Sequence, residues 1–264
     1  DYALNEYDGA LEWTEIINDA DWCNRYDHAA TTFNNKIYLG GGYNPGQFSG
    51  DPYLEDLWSS KDGETWTLEL EETPWKGRRG HQMISHDDGN GEALYLIGGF
   101  EVDEESGERH YRNDVWKTVD GTNWNLIKAD FYTEITNDST WAPRMYHKCV
   151  VSTQNAKDYI YLIGGRQMLE NYDGNYSMRY FDDVWRSEDG INWEKVTSAD
   201  FGGRAEHAVV VDPNTNNIYI QGGVHGVIFN SYSSTNTHPN PDYQKLWIYQ
   251  GAQGWKTSVN NDVV

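Results

Sequence analysis

Short apolar runs recur along this chain, each closed within a few positions by Gly, Asn or Asp. Ala29 to Phe33 is followed by the polar Asn34-Asn35-Lys36 and then by Ile37-Tyr38-Leu39. That pattern predicts two short strands around a polar hairpin turn. Matching second runs are Leu94-Tyr95-Leu96-Ile97, Ile160-Tyr161-Leu162-Ile163 and Ile218-Tyr219-Ile220. β-branched and aromatic residues dominate them, as a pleated, half-buried surface favours. Each ends in a glycine pair: Gly41-Gly42, Gly98-Gly99, Gly164-Gly165 or Gly222-Gly223. A variable polar stretch follows. The chain then re-enters a strand at Asp56-Leu57-Trp58, Asp114-Val115-Trp116, Asp183-Val184-Trp185 and Leu246-Trp247. In three units the next element is Asp-Gly, at Asp62-Gly63, Asp120-Gly121 and Asp189-Gly190, between two aromatic-bearing runs; this predicts a two-residue hairpin turn. A fourth strand is expected near Trp66, Trp124, Trp193 and Trp255. No segment sustains a helical period.

Each unit is therefore a four-stranded antiparallel meander, and it is headed by Arg-x-x-His: Arg25/His28, Arg78/His81, Arg144/His147 and Arg204/His207. The glycine pairs recur at intervals of 57, 66 and 58 residues, and the two Trp of each unit are always eight apart. A period of this size means one supersecondary unit stacked several times. Four-stranded sheets repeated radially are propeller blades, so the fold class is all-β, a β-propeller.

The order Arg-x-x-His, Tyr-x-x-Gly-Gly, Asp-Val-Trp, Trp resembles the kelch-repeat family over about residues 20 to 258. Units here are longer than the kelch repeat of about 50 residues. A weaker resemblance is that of Ser60-Lys61-Asp62-Gly63-Glu64-Thr65-Trp66 to the Asp-box turn of sialidase-type propellers, whose Asp and Gly are one residue further apart. Both imply one domain over 1–264, with blades at 20–72, 73–130, 140–199 and 200–258. Residues 1–16, with Tyr7-Asp8-Gly9 and Trp13, read as strands three and four of a further, partial blade. Either the chain belongs to a longer propeller, or another molecule completes this half-blade, whose open edge invites self-association. The start at Asp1 rather than Met points to a processed or trimmed end.

Apolar residues make up only 38% of the chain, but 12 Trp and 19 Tyr supply the burial a core needs. The net charge of −22 argues against binding nucleic acid or an anionic membrane surface, and no apolar run is long enough to insert in a membrane. Such acidity suits a secreted, extracellular protein; the sequons at Asn137 and Asn175 carry meaning only in a eukaryotic secreted protein, and sequons this short often arise by chance. The two cysteines, Cys23 and Cys149, fall in different units and are expected to be free thiols, buried or half-buried.

In a propeller the 2–3 and 4–1 connections share one face, and here they are long: about 43–55, 100–113, 166–182, 224–244 and 128–143. Loops on a rigid scaffold are where binding residues gather. The candidate ligand residues on this face are Trp141, Tyr172, Tyr176, Arg179, Tyr180, His225, Phe229 and Tyr232. Aromatic faces with amides suit sugars, and they equally suit a protein interface or packing of loop on loop. Arg25, Arg78, Arg144 and Arg204 enter the innermost strands from the same face. They form either a cationic ring for a ligand, a use that the kelch resemblance implies, or buried ties between blades. For the four histidines, buried hydrogen bonds are expected. The acidic loop 101–108 offers oxygens to calcium but has no EF-hand spacing. No cofactor motif and no catalytic motif is present, and carboxylates are too many to nominate an acid/base pair. The expected function is a non-enzymatic module that binds a protein or glycan. The competing expectations are a sugar-active enzyme of sialidase or epimerase type, which needs a carboxylate beside a Tyr or His at the channel mouth, and a structural protein that polymerises.

Overall fold

Four four-stranded antiparallel sheets, each a meander in chain order, and one two-stranded ribbon make up this computed structural model, which describes residues 14–46, 52–103, 105–130, 140–170, 176–198, 201–225, 246–250 and 255–257. Blade 1 holds β1 (Ala29–Phe33), β2 (Lys36–Gly40), β3 (Leu57–Ser60) and β4 (Trp66–Leu70). Blade 2 holds β5 (Gln82–Asp87), β6 (Glu92–Val102), β7 (Arg109–Thr118) and β8 (Asn125–Lys128). In blade 3, β9 (Lys148–Gln154) and β10 (Lys157–Ile163) are followed by a separate ribbon, β11 (Arg166–Glu170) and β12 (Tyr176–Tyr180). The blade is then completed by β13 (Asp183–Ser187) and β14 (Glu194–Ser198). Blade 4 holds β15 (Ala208–Val211), β16 (Ile218–Gln221), β17 (Trp247–Tyr249) and β18 (Trp255–Thr257). The first strands β1, β5, β9 and β15 contact one another in that order, so they are innermost, and the described residues form four blades of a β-propeller. Residues 1–13 of the expected half-blade lie outside the described residues.

The cores lie between blades, because each sheet has two faces to cover. Blades 1 and 2 enclose Phe33, Tyr38, Leu57, Met83, Leu94 and Leu96. Blades 2 and 3 enclose Tyr95, Ile97, Val115, Ile160, Leu162 and Trp185, and blades 3 and 4 enclose Tyr161, Ile163, Val184, Ile218, Ile220 and Trp247. An aromatic residue three positions before each Arg closes its own blade: Trp22 on Trp66, Trp75 on Trp124, Trp141 on Trp193 and Phe201 on Trp247. Trp141 is fully buried and belongs to this set, so it is a core residue rather than one on the exposed loop face.

Two expectations are corrected here. The 2–3 connections of blades 2 and 3 are largely strand: β6 and β7 continue past Gly98-Gly99, pairing Gly99 with Arg112 through Val102 with Arg109 after a bulge, and β11 pairs with β12. The Asp-Gly segments are not two-residue turns either. They span 61–65, 119–124 and 188–193, and side chains cap them. Asp62 Oδ1 accepts from the amides of Glu64 and Thr65 at 2.9 and 2.8 Å, and Ser60 Oγ accepts from the amide of Gly63 at 2.8 Å. Asp120 with Thr118 and Asp189 with Ser187 repeat the arrangement. A short acceptor side chain takes the place of a ladder bond there. The cysteines are free thiols, as expected; Cys149 is half-buried, but Cys23 is exposed rather than buried or half-buried.

Candidate functional site at the channel mouth

Each Arg-x-x-His divides its work by position. The Arg turns back into its own blade. Arg25 makes a two-pronged ion pair with Asp56 at 2.6 and 2.7 Å, Arg78 with Asp114 at 2.7 and 3.0 Å, and Arg144 with Asp183 at 2.5 and 3.0 Å. The same guanidiniums donate to the carbonyls of Gly41, Gly98 and Gly164, at 2.9 to 3.1 Å. Arg204 donates to the carbonyls of Gly222 (3.0 Å) and Phe201; the fourth unit carries Lys245 where the others carry Asp. Burial alone would raise the carboxyl of Asp114, but the charge and hydrogen bonds of Arg78 and the Trp116 indole outweigh it and hold its pKa below the usual value. Asp183 is held low in the same way by Arg144 and Trp185. Three of the four expected ring cations are thus neutralised and buried inside their blades.

The histidines fit glycine slots rather than hydrogen bonds. A Cβ on Gly41 would meet His81 Cε1 at 2.7 Å, one on Gly98 would meet His147 Cε1 at 3.0 Å, and one on Gly164 would meet His207 Cε1 at 2.8 Å. Each imidazole therefore lies in the preceding blade's slot. Neither ring nitrogen of His147 or His207 has a hydrogen-bond partner among the described residues. Burial, then the neighbouring Arg charge, lowers the pKa of His81 and of His207 to about 3.

Of the two residues between Arg and His, Tyr26, Asp27, Arg79, Tyr146 and Glu206 keep exposed surface at the channel mouth, whereas Gly80, Met145 and Ala205 are buried. The third position of the motif is held at positive φ in every unit: Asp27 (58°), Gly80 (64°), Tyr146 (56°) and Glu206 (59°). A left-handed backbone at non-glycine residues is uncommon and costs energy. It is fixed by a backbone chain round the mouth, in which Gly80 N–H donates to Asp27 O, Tyr146 N–H to Gly80 O and Glu206 N–H to Tyr146 O, at 2.8 to 3.1 Å. The side chains converge there. The Tyr146 hydroxyl donates to the Asp27 carboxylate, and Arg79 lies 3.8 Å from that carboxylate. Arg166 stacks over the Tyr146 ring at 4.7 Å and pairs with Glu206 at 3.1 Å. Arg79 stacks over Tyr43 at 4.7 Å. Burial first, then the Asp27 hydrogen bond and charge, raises the pKa of Tyr146, so its hydroxyl keeps its proton and acts as a donor. Side-chain exposures of 22% for Arg79, 25% for Asp27, 21% for Arg166 and 40% for Glu206 leave this cluster open to a ligand.

The expected loop residues divide. Arg179, Tyr180 and His225 line one groove of about 460 Å³ beside the mouth. Tyr176, 49% exposed, lies under Arg109 at 4.9 Å near the ribbon's tip. Tyr172, Phe229 and Tyr232 lie outside the described residues. In the acidic loop, Glu101 is buried in an ion pair with Arg112, and Asp103 caps the amides of Glu105 and Ser106. Among the described residues no three His, Cys, Asp or Glu side chains are grouped to hold a metal. Asp27, Arg79, Tyr146, Arg166 and Glu206 were not among the residues singled out from the sequence. Their signal was the unit-to-unit variation at the two x positions of a motif otherwise held fixed, and in the residue after each Gly-Gly.

The fold is similar to the solved structure of YjhT, at 12% identity and a TM-score of 0.59, over 95% of this chain and 69% of that one. No curated protein matches the sequence. Residues 56–261 match the DUF6242 beta propeller domain, and the chain belongs to that family.

Proposed function

We propose that the chain is a non-enzymatic binding module of kelch type that takes a glycan at the channel mouth, the ligand extending into the Arg179–Tyr180–His225 groove. The observation that carries this reading is the cluster around Tyr146. Two part-exposed guanidiniums, a hydroxyl donor and two carboxylates converge on a backbone fixed at positive φ. Their charges balance, which suits the hydroxyls and ring oxygens of a sugar better than a bare anion. Tyr26, 46% exposed, and Tyr43, its edge-on neighbour at 5.4 Å, supply aromatic surface at the rim. Such polar groups fixed before binding reduce the ordering cost of the complex. A secreted setting, suggested by the acidity, is part of the same proposal.

The Asp27–Tyr146 pair is also what a sugar-active enzyme would need, and it favours that reading over a purely structural role. The raised hydroxyl pKa weighs against it, because a nucleophilic Tyr must lose its proton.

The test is titration calorimetry with neutral and sialylated oligosaccharides, together with product analysis of each mixture. Saturable binding without turnover, weakened by Tyr146→Phe and by Arg166→Ala while the melting temperature holds, is the expected result. Product formation would replace the binding reading with the enzymatic one. Binding unchanged in both variants would remove the mouth from the site.

A further inference from the structure

The two guanidiniums at the mouth are held in different ways. Arg166 spends donors inside the chain: it pairs with Glu206 at 3.1 Å and hydrogen-bonds the Tyr180 hydroxyl. Arg79 is not held by hydrogen bonds. Its Nη1 stands 3.8 Å from the Asp27 carboxylate, beyond hydrogen-bond reach, and its buried Nε has no partner among the described residues.

A row of rings holds Arg79 instead. Its guanidinium carbon lies 4.7 Å from the centre of the Tyr43 ring, 5.7 Å from that of Phe100 and 5.9 Å from that of Tyr53. The rings brace one another. Tyr43 meets Tyr53 edge-on at 4.9 Å, Tyr53 meets Phe100 at 6.0 Å, and Phe100 meets Tyr111 at 4.6 Å. Tyr53, Phe100 and Tyr111 form one buried cluster with Met145, so blades 1, 2 and 3 all support the row. Backbone fixes it as well: Arg79 N–H donates to Phe100 O and Phe100 N–H to Arg79 O, both at 2.9 Å, and Tyr43 bridges to Tyr53. Ring faces attract a guanidinium through their quadrupole and leave its in-plane N–H donors unspent, which a carboxylate partner would not. Arg79 therefore presents a fork that is fixed in direction, and its side chain is 22% exposed. Tyr53 and Phe100 are only 7% and 5% exposed, so they reach a ligand through Arg79 and not directly.

We propose that Arg79 is the principal donor to the ligand and that Tyr53 and Phe100 are its positioning residues. The proposal rests on the reading of the mouth as a glycan site. The rings aim the guanidinium so that its parallel N–H groups meet neighbouring oxygens of the sugar, and the side chain is ordered before the ligand arrives. Arg166 contributes less, because Glu206 and Tyr180 already engage its donors.

Two measurements test this, one without ligand and one with it. In heteronuclear NMR the Arg79 Nε–H resonance, identified by its loss in Arg79→Lys, is expected to be shifted by the rings and protected from solvent exchange. Phe100→Leu should return it to the position of an unrestrained arginine. Tyr53→Leu should do the same and serves in its place should Phe100→Leu not fold, whereas Tyr53→Phe, which keeps the ring, should recover the shift. In calorimetry with the oligosaccharides, Arg79→Gln should lower the affinity about tenfold or more, and by more than Arg166→Gln does. Phe100→Leu should lower it about two- to tenfold, and should add nothing in the Arg79→Gln background. A resonance that Phe100→Leu and Tyr53→Leu leave unmoved overturns the positioning role, as does a Phe100→Leu loss that persists without Arg79. An Arg166→Gln loss as large as that of Arg79→Gln overturns the ranking of the two arginines. A wild type that binds none of the sugars overturns the glycan reading and the donor role with it, while the resonance still decides what holds the side chain.

Discussion

The hydroxyl of Tyr146 in blade 3 donates to the carboxylate of Asp27 in blade 1, 119 residues away in sequence, and it does so past blade 2. Gly80 makes the reach feasible. It is the motif's third residue in blade 2, and a Cβ there would meet the Tyr146 ring at 3.1 and 3.2 Å and Met145 Cβ at 3.1 Å. A side chain absent from one blade thus lets residues of its two neighbours meet at the mouth.

Gly80→Ala is therefore expected to act twice. The left-handed backbone, at φ 64°, costs an alanine about 1–2 kcal/mol relative to glycine. The new methyl also presses the Tyr146 ring away from Asp27. Urea denaturation should show the stability loss, and calorimetry with the glycan bound by the wild type should show weaker binding. Tyr146→Phe separates the two effects, because it removes the hydroxyl and leaves the backbone alone. Full binding in Gly80→Ala would show that the Tyr146–Asp27 contact does not matter to the ligand.

The scaffold was legible in the sequence because its parts repeat. Gly41, Gly98 and Gly164 meet the same histidine in the same way, so the constraint recurs and the period exposes it. The pairing of Arg78 with Asp114 was hidden although both residues lie in recurring motifs, since 36 residues separate them and only the meander brings them together. Trp141 was misplaced for a related reason. It stands three before Arg144, as Trp75 does before Arg78, but the long connection ahead of it made it read as a loop tip. The mouth cluster was the least legible. It is assembled from positions that differ in each unit, and a repeat pattern reports only what stays the same.

The buried histidines set an acid limit on the fold. His81 and His207 titrate near 3 in the folded chain against 6.5 when unfolded, and His147 is also pushed well below 6.5. Between those values the unfolded chain binds protons that the folded chain refuses. Stability is thus complete above pH 6.5 and falls as the pH drops toward 3, by up to about 1.4 kcal/mol per pH unit for each histidine. Thermal melts between pH 7 and 4.5 should show the decline before the carboxylates titrate. His207→Leu should reduce the slope by about one third, whatever it costs in absolute stability. A flat profile over that window would mean that the imidazoles are not held neutral in the seams.

The ion pairs predict an order among single substitutions. Arg78 and Asp114 have side chains only 2% and 6% exposed, so Asp114→Ala leaves a buried guanidinium with its charge uncompensated. Loss of one partner from a buried pair typically costs about 3–5 kcal/mol. Asp56 is 20% exposed, so water can replace part of what Arg25 loses. Asp56→Ala should therefore cost clearly less than Asp114→Ala in urea denaturation. Both variants, assayed where they remain folded, should bind the ligand as the wild type does, since neither carboxylate reaches the mouth cluster. Equal losses of stability would show that exposure does not govern the pairs. A loss of binding in a folded Asp114→Ala chain would return the arginines to the site.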